Sequence, residues 1–159
     1  MKILTTTDWQ KLKALRIEGW QTDPQAFWGD PKLEIDGEEE YWHERLTDPK
    51  SFYVGIEEDG KLVSVAGGRW HEDEKSWALM AVYTSVPYRG KRFSKQLVNM
   101  VTDEVKKKGG TKIMLYVTEG QNAAISMYEK MGFTHIGVEA DCKMGDGKRH
   151  NELIMEKEL

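Results

Sequence analysis

Ala81-Val82-Tyr83-Thr84-Ser85-Val86-Pro87-Tyr88-Arg89-Gly90-Lys91-Arg92-Phe93-Ser94-Lys95-Gln96-Leu97 runs from an apolar strand, through a basic turn, into the start of a helix. Trp77 to Val86 is apolar or β-branched on both faces, which predicts a strand covered from both sides at the centre of a sheet. From Phe93 onward, Phe93, Leu97, Val98, Val101 and Val105 fall at helical spacing until Gly109-Gly110 ends the run. Between strand and helix, Arg89, Lys91, Arg92 and Lys95 place four basic groups within seven residues. A helix start leaves backbone N–H groups unpaired and carries about half a positive charge, so the turn from Gly90 to Ser94 suits a phosphate. The plainer reading of the same residues is a solvated helix start beside a solvated basic patch.

The elements around this segment follow from periodicity. Lys2 to Thr6 reads as a short strand, and Thr7 or Asp8 caps a helix with Leu12, Leu15, Ile17 and Trp20 on its inner face. Pro24 to Asp36 has a loop-like composition, and Gly37 to Leu46 resumes as an acidic helix. Ser51 to Glu57 and Lys61 to Trp70 form an antiparallel hairpin about the Asp59-Gly60 turn. His71 to Ser76 is a charged turn. After the central strand and its helix come a strand from Lys112 to Val117 and a short helix from Asn122 to Met131. Two closing strands, Phe133 to Val138 and Asn151 to Glu156, complete an order of β-α-α-β-β-β-α-β-α-β-β.

Length and composition bound the answer. The 159 residues have no internal repeat and no linker, so residues 1–159 are expected to form one α/β domain. With 39% hydrophobic residues and 15 glycines, the chain has enough apolar material for a packed core. Its longest apolar stretch, Trp77 to Tyr83, is far short of the roughly 18 residues a membrane helix needs. The start, Met1-Lys2-Ile3-Leu4-Thr5, lacks a signal-peptide core, and the expected location is the cytoplasm, with no membrane partner. Cys142 is the single cysteine, and His43, His71, His135 and His150 show no ligand spacing, so no disulfide and no metal site are expected. The net charge of -4 argues against nucleic acid as a partner. That average conceals an asymmetry, because residues 1–80 hold 17 acidic and 10 basic side chains while residues 81–159 hold 10 acidic and 13 basic ones. An anionic ligand should prefer the second half.

VPYRGKRFSKQL (Val86 to Leu97), followed by LYVTEGQNAAISMYEKMGF (Leu115 to Phe133), resembles the GNAT superfamily of acyl-CoA-dependent N-acyltransferases. The family loop usually reads Arg/Gln-x-x-Gly-x-Gly/Ala after a central strand, with a strand, an Asn and a helix ending Leu-Tyr-Glu-Lys-x-Gly-Phe downstream. ALRIEGWQTDPQAFWGD and EEYWHERL are also similar to the amino-terminal part of many members, so the resemblance extends over most of the chain. It implies a mixed, mostly antiparallel central sheet, splayed between strands 4 and 5 and flanked by about four helices, with acyl-CoA in the V. By position, Val82, Tyr83 and Thr84 would hydrogen-bond the pantetheine through their backbone, and Arg89, Gly90, Lys91, Arg92, Phe93 and Ser94 would wrap the pyrophosphate. Tyr128 would protonate the departing thiolate, a step that suits a phenol of pKa about 10 and a thiol of pKa about 8.5. Its plainer role is a packed helix aromatic.

Three departures from the pattern bear on these roles. Arg92 and Ser94 stand where glycine and Gly or Ala are usual, so the backbone approaches a pyrophosphate less closely at Arg92, unless its guanidinium compensates. Gln121, not Asn122, falls in the slot usually held by asparagine, and either amide can serve the pantetheine or the helix start. No carboxylate lies in Trp77-Ala78-Leu79-Met80 or Leu115-Tyr116-Val117, where members often keep a general base. Water relayed to Glu119, a residue between Asp23 and Glu40, or no base at all remain open. Asp23, Asp30, Glu34, Asp36 and Glu38 to Glu40 surround Phe27 and Trp28, a composition that attracts a cationic amine or simply forms a solvated acidic face. The resemblance therefore implies transfer of an acetyl group from acetyl-CoA to a primary amine by direct attack in a ternary complex, with no metal. The alternative is an acyl-CoA-binding sensor of the same fold that has lost catalysis. A homodimer is compatible with either.

Overall fold

The computed structural model describes all of residues 1–159. Seven strands form one sheet: β1 (Lys2–Ile3), β2 (Ser51–Glu58), β3 (Lys61–His71), β4 (Ser76–Thr84), β5 (Lys112–Thr118), β6 (Thr134–Lys143) and β7 (Arg149–Glu158). Their order is β1-β2-β3-β4-β5-β7-β6, which puts the apolar β4 in the middle. Every pairing is antiparallel except that of β4 with β5, which are joined by a helical crossover. Five helices cover the sheet: α1 (Trp9–Thr22), α2 (Pro31–Ile35), α3 (Glu39–Thr47), α4 (Phe93–Lys107) and α5 (Asn122–Lys130).

The sheet separates two apolar layers. On one side Leu97, Val98, Val101 and Val105 of α4 and Tyr128 of α5 pack against Val54, Val63, Leu79, Ile113, Leu115 and Met155. On the other, Leu12, Leu15 and Trp20 of α1 and Trp42 of α3 meet Tyr53, Leu62, Val65 and Tyr83. Each buried Leu or Val contributes about 1.5–3 kcal/mol, so the helical spacing of these residues is what holds both layers in place.

β4 and β5 pair only at Trp77–Ile113 and Ala78–Met114 and part beyond them. A bulge in β4 helps to part them: the register jumps from Val65–Tyr83 to Gly67–Met80, so one residue of β3 faces two of β4. Ala81 in the bulge takes a left-handed φ of 56°. For an alanine that conformation costs on the order of 1–2 kcal/mol, and the flanking pairs over-determine it.

Several expected boundaries move. The first strand ends at Ile3, because Leu4 turns into the core and Thr6–Asp8 forms a short 3-10 turn. The stretch from Pro24 to Asp36, expected as loop, contains a 3-10 turn at Pro24–Ala26 and the helix α2, capped by Asp30 through the Lys32 N–H at 2.9 Å. On α1 the inner face carries Arg16 and Gly19 rather than Ile17. The central strand stops at Thr84, and Val86–Tyr88 forms a turn begun by Pro87. β6 and β7 are longer than expected, because they pair with each other through two bulges despite an exposed, polar outer face.

Candidate active site

Where β4 and β5 part, a cavity of about 1000 Å³ opens between them. Leu79 to Thr84 form one wall, and Leu115 to Thr118 with Gln121 to Ala124 and Tyr128 form the other. The basic turn and, joined to it through the Arg89–Asp23 pair, Asp23 with Gln25 to Trp28 complete the lining. Of the residues singled out from the sequence, Val82, Tyr83, Thr84, Arg89, Gly90, Arg92, Phe93, Ser94, Gln121, Asn122 and Tyr128 all line this one cavity. Lys91 does not: its ammonium lies 5.0 Å from the Tyr88 ring centre and 5.9 Å from that of Phe93.

The turn is built as a donor cradle. None of the backbone N–H groups from Gly90 to Lys95 donates to another backbone carbonyl, and Gln96 is the first to do so, to Arg92 O at 3.1 Å. A hydroxyl chain fixes its position. Thr84 Oγ1 lies 2.7 Å from Ser64 Oγ and 2.9 Å from Ser94 Oγ, tying the end of β4 to the first turn of α4. Gly90 and Arg92 both hold positive φ, 83° and 63°, so the arginine adopts the backbone shape that glycine usually supplies. Arg92 is exposed, whereas the Arg89 guanidinium is already committed, donating to Thr84 O at 3.1 Å and to the Asp23 carboxylate.

Tyr83 points away from the cradle. Its hydroxyl donates to Glu18 Oε1 at 3.0 Å and shares a 2.8 Å hydrogen bond with Thr22 Oγ1, which holds α1 against β4. Tyr128, 6% exposed on α5, packs edge-on to Phe133 at 5.7 Å. Burial alone pushes its phenol well above the ordinary tyrosine range, so it stays protonated at any physiological pH.

The acidic cluster expected around Phe27 and Trp28 is dispersed. Glu34 is buried beneath α1, where it accepts two hydrogen bonds from Arg16, both 2.9 Å, and one from Trp20 Nε1 at 2.8 Å. Asp23 pairs with Arg89, Asp30 caps α2, and Glu38 to Glu40 begin α3. Glu119 accepts from Asn151 Nδ2 at 3.1 Å and is exposed. Two carboxylates line the cavity: Asp23, from the stretch singled out in the sequence and paired with Arg89, and a second that sequence reasoning missed. Glu152 of β7 is 3% exposed, and burial raises its carboxyl above the usual carboxylate range despite Thr118, Trp28 and His150 nearby. In the sequence it is one polar position of an alternating strand, and only the pairing of Glu152 with Thr118 carries it to the cavity.

The loop above Glu152 is clamped from two sides. Trp28 bridges Met144, Gly145 N–H donates to Phe27 O at 2.8 Å, and the Phe27 ring occupies the space that a side chain at Gly19 would fill. A Cβ on Gly145 would stand 2.2 Å from Trp20 Cζ3 and 2.8 Å from Pro24 O. Gly145→Ala is therefore expected to displace the Pro24 to Trp28 loop and to cost about 1–3 kcal/mol, measurable by denaturant unfolding.

Comparison with known proteins gives this cavity its context. Residues 12–133 match the Acetyltransferase (GNAT) family. An uncharacterized N-acetyltransferase of Bacillus subtilis, YobR, is 26% identical over 128 residues, covering 74% of this chain and 49% of its own length. The chain thus spans about half the length of that relative, and 32% of the N-acetylaspartate synthetase of Xenopus tropicalis, with which it is 32% identical over 87 residues. Among solved structures, a ribosomal-protein-alanine N-acetyltransferase from Brucella melitensis superimposes with a TM-score of 0.83 at 21% identity, over 99% of this chain and 98% of that one. A putative acetyltransferase from Salmonella typhimurium, solved with its cofactor acetyl-CoA, gives 0.81 at 16% identity over 99% and 92%. These structures share the fold, and with a family match extending from α1 to Phe133 the chain belongs to the GNAT acetyltransferase family.

Proposed function

We propose that the chain is an acetyl-CoA-dependent N-acetyltransferase that moves the acetyl group to a primary amine by direct attack within a ternary complex. The observation that carries this reading is the row of N–H groups from Gly90 to Lys95 left without backbone acceptors, on a cavity that Tyr128 also lines. Acetyl-CoA suits these residues part by part. A diphosphate satisfies the cradle, an extended amide chain matches the unpaired edges of β4 and β5, and the thioester supplies an activated acyl group. The residues then divide the work. Gly90 to Lys95 hold the phosphates, with the Arg92 guanidinium as the one arginine of the turn not already paired. The backbone of Val82 to Thr84 on β4, with the amides of Gln121 and Asn122 opposite, orients the pantetheine. Tyr128 donates its hydroxyl proton toward the leaving sulfur. Bringing both reactants into one cleft supplies on the order of 7 kcal/mol of the barrier reduction through proximity.

Calorimetric titration of acetyl-CoA, followed on the same sample by thiol release against a monoamine, a polyamine, an aminoglycoside and an alanyl peptide, tests the reading. Binding with release on at least one amine is expected, and no binding overturns it. Arg92→Gly separates side chain from backbone at the cradle, since glycine suits the positive φ found there. The expected result is an unchanged Tm and acetyl-CoA binding weakened about tenfold, the loss of one charge-assisted phosphate contact. An unchanged Kd would assign the phosphates to the backbone alone.

A further inference from the structure

We propose that Glu152, placed in the cavity by β7, holds the acceptor's ammonium group and takes its proton. The proposal rests on the acetyl-transfer reading above and names the acidic group which that reading lacks. Glu152 Oε1 is sealed from solvent and has no hydrogen-bond partner. An unpaired buried carboxylate oxygen is costly, and a ligand that supplies the missing donor accounts for its presence.

Thr118 and Trp28 stand close enough to Glu152 to work against the effect of burial, so the place without a partner is that of Oε1 alone. The Thr118 hydroxyl opposite Glu152 donates to Gln25 O at 2.9 Å. The cations on the same arm are committed elsewhere: His150 to Asp146 at 2.8 Å and Arg149 to Asp141 at 3.1 Å. Around Glu152, besides Thr118 and His150, stand an acid and two aromatic rings. Glu139 pairs with it across the β6–β7 ladder. Tyr116, on the Glu152 face of β5, donates to Glu74 at 3.4 Å and packs 5.6 Å from the Trp28 ring centre. A buried carboxylate with the Trp28 and Tyr116 rings nearby suits an ammonium group. A neutral alcohol acceptor would leave the negative charge uncompensated.

The step balances. Glu152 takes one proton from R–NH3+, and the freed nitrogen pair forms a bond to the thioester carbonyl carbon. The C–S bond breaks with its pair on sulfur, which takes the Tyr128 hydroxyl proton to become the thiol, the second departing N–H proton restores Tyr128, and Glu152 returns its proton to water.

Glu152→Gln keeps the shape and removes the charge. With the best acceptor of the amine panel, kcat is expected to fall about a hundredfold, a typical loss of an acid–base group, with the KM for acetyl-CoA unchanged. The rate should then track the amine's own ionisation, while Glu152→Asp recovers part of the activity. The groups facing Glu152 that titrate nearby, Glu139, His150 with Asp146, Cys142 and Tyr116, are present in both proteins and cancel in the comparison. Thermal unfolding gives a second readout. Because burial raises the Glu152 pKa, wild type loses stability as pH rises through the ordinary carboxylate range, and Glu152→Gln does not. The variant's Tm should therefore equal or exceed that of wild type at pH 8 and fall no further behind it at pH 4 than any Gln replacement. A Tm lowered at pH 8, or kcat/KM within about threefold of wild type, overturns the proposal. If wild type releases no thiol on any amine, acetyl transfer is what fails, and Glu152 is judged by calorimetric binding of 1,4-diaminobutane to the CoA-saturated protein. At least tenfold weaker binding by Glu152→Gln supports the site, and equal binding overturns it.

Discussion

Tyr128→Phe is expected to lower the kcat of acetyl transfer about a hundredfold while leaving the acetyl-CoA KM and the Tm within error of wild type. The phenol lines the cavity, and burial is the sole influence on its ionisation, so the substitution breaks no hydrogen bond and retains the edge-on contact with Phe133. A raised phenol pKa looks unfavourable for an acid. Burial would raise a thiolate leaving into the same cleft as well, which keeps the donor and acceptor matched. Steady-state kinetics at several pH values, with calorimetry for acetyl-CoA, checks this. Unchanged kcat would reduce Tyr128 to a packing residue of α5.

Glu34→Ala is expected to cost about 3–5 kcal/mol of stability, roughly 10 °C in Tm for a chain of this size. Burial pushes the Glu34 carboxyl up, but Arg16, Trp20 and Arg45 together outweigh it and hold the group below its usual range. Removing it strands Arg16, 7% exposed, and Arg45, whose Nε already lacks a partner. Because the folded pKa is lowered, the contribution of Glu34 is present above about pH 4.3 and is lost as pH falls below that. Thermal melts of wild type and Glu34→Ala at pH 7 and pH 3 should therefore converge at the acid end. Glu34→Gln, which retains acceptor capacity for Trp20 and one arginine N–H, should lie between them.

The central strand, the basic turn and the long helix were legible because each carries its own local signal: apolar continuity from Trp77, Gly90 with its flanking charges, and helical spacing from Phe93 to Val105. Tyr128 was legible from the Tyr-Glu-Lys-Met-Gly-Phe run. The roles that misled were those decided by distant partners. Glu34 reads in sequence like its acidic neighbours, and only the packing of α2 beneath α1 turns it into the counter-ion of Arg16. The basic run marked Arg89 as facing an anion site but did not show that its guanidinium also joins the turn to Asp23 at the end of α1. Glu152 was invisible for the same reason: which face of β7 meets the cavity is fixed by its register on β5, a property of two strands separated by a helix and a third strand.

The parting of β4 and β5 after two residue pairs has a cost beyond the cleft it creates. It leaves strand edges in the interior of a sheet, and unpaired edges are where proteins recruit foreign strands and aggregate. Here both edges face into one gap, closed on one side by α4 and α5 and at the mouth by the basic turn. A slot of that kind admits a single narrow chain and excludes a folded hairpin or a second copy of itself, so the chain protects itself by geometry where other sheets use charged or proline-bearing edges. Mutations that widen the slot, at Ala81 or along α5, should appear first as lost solubility on storage without ligand and only later as lost turnover.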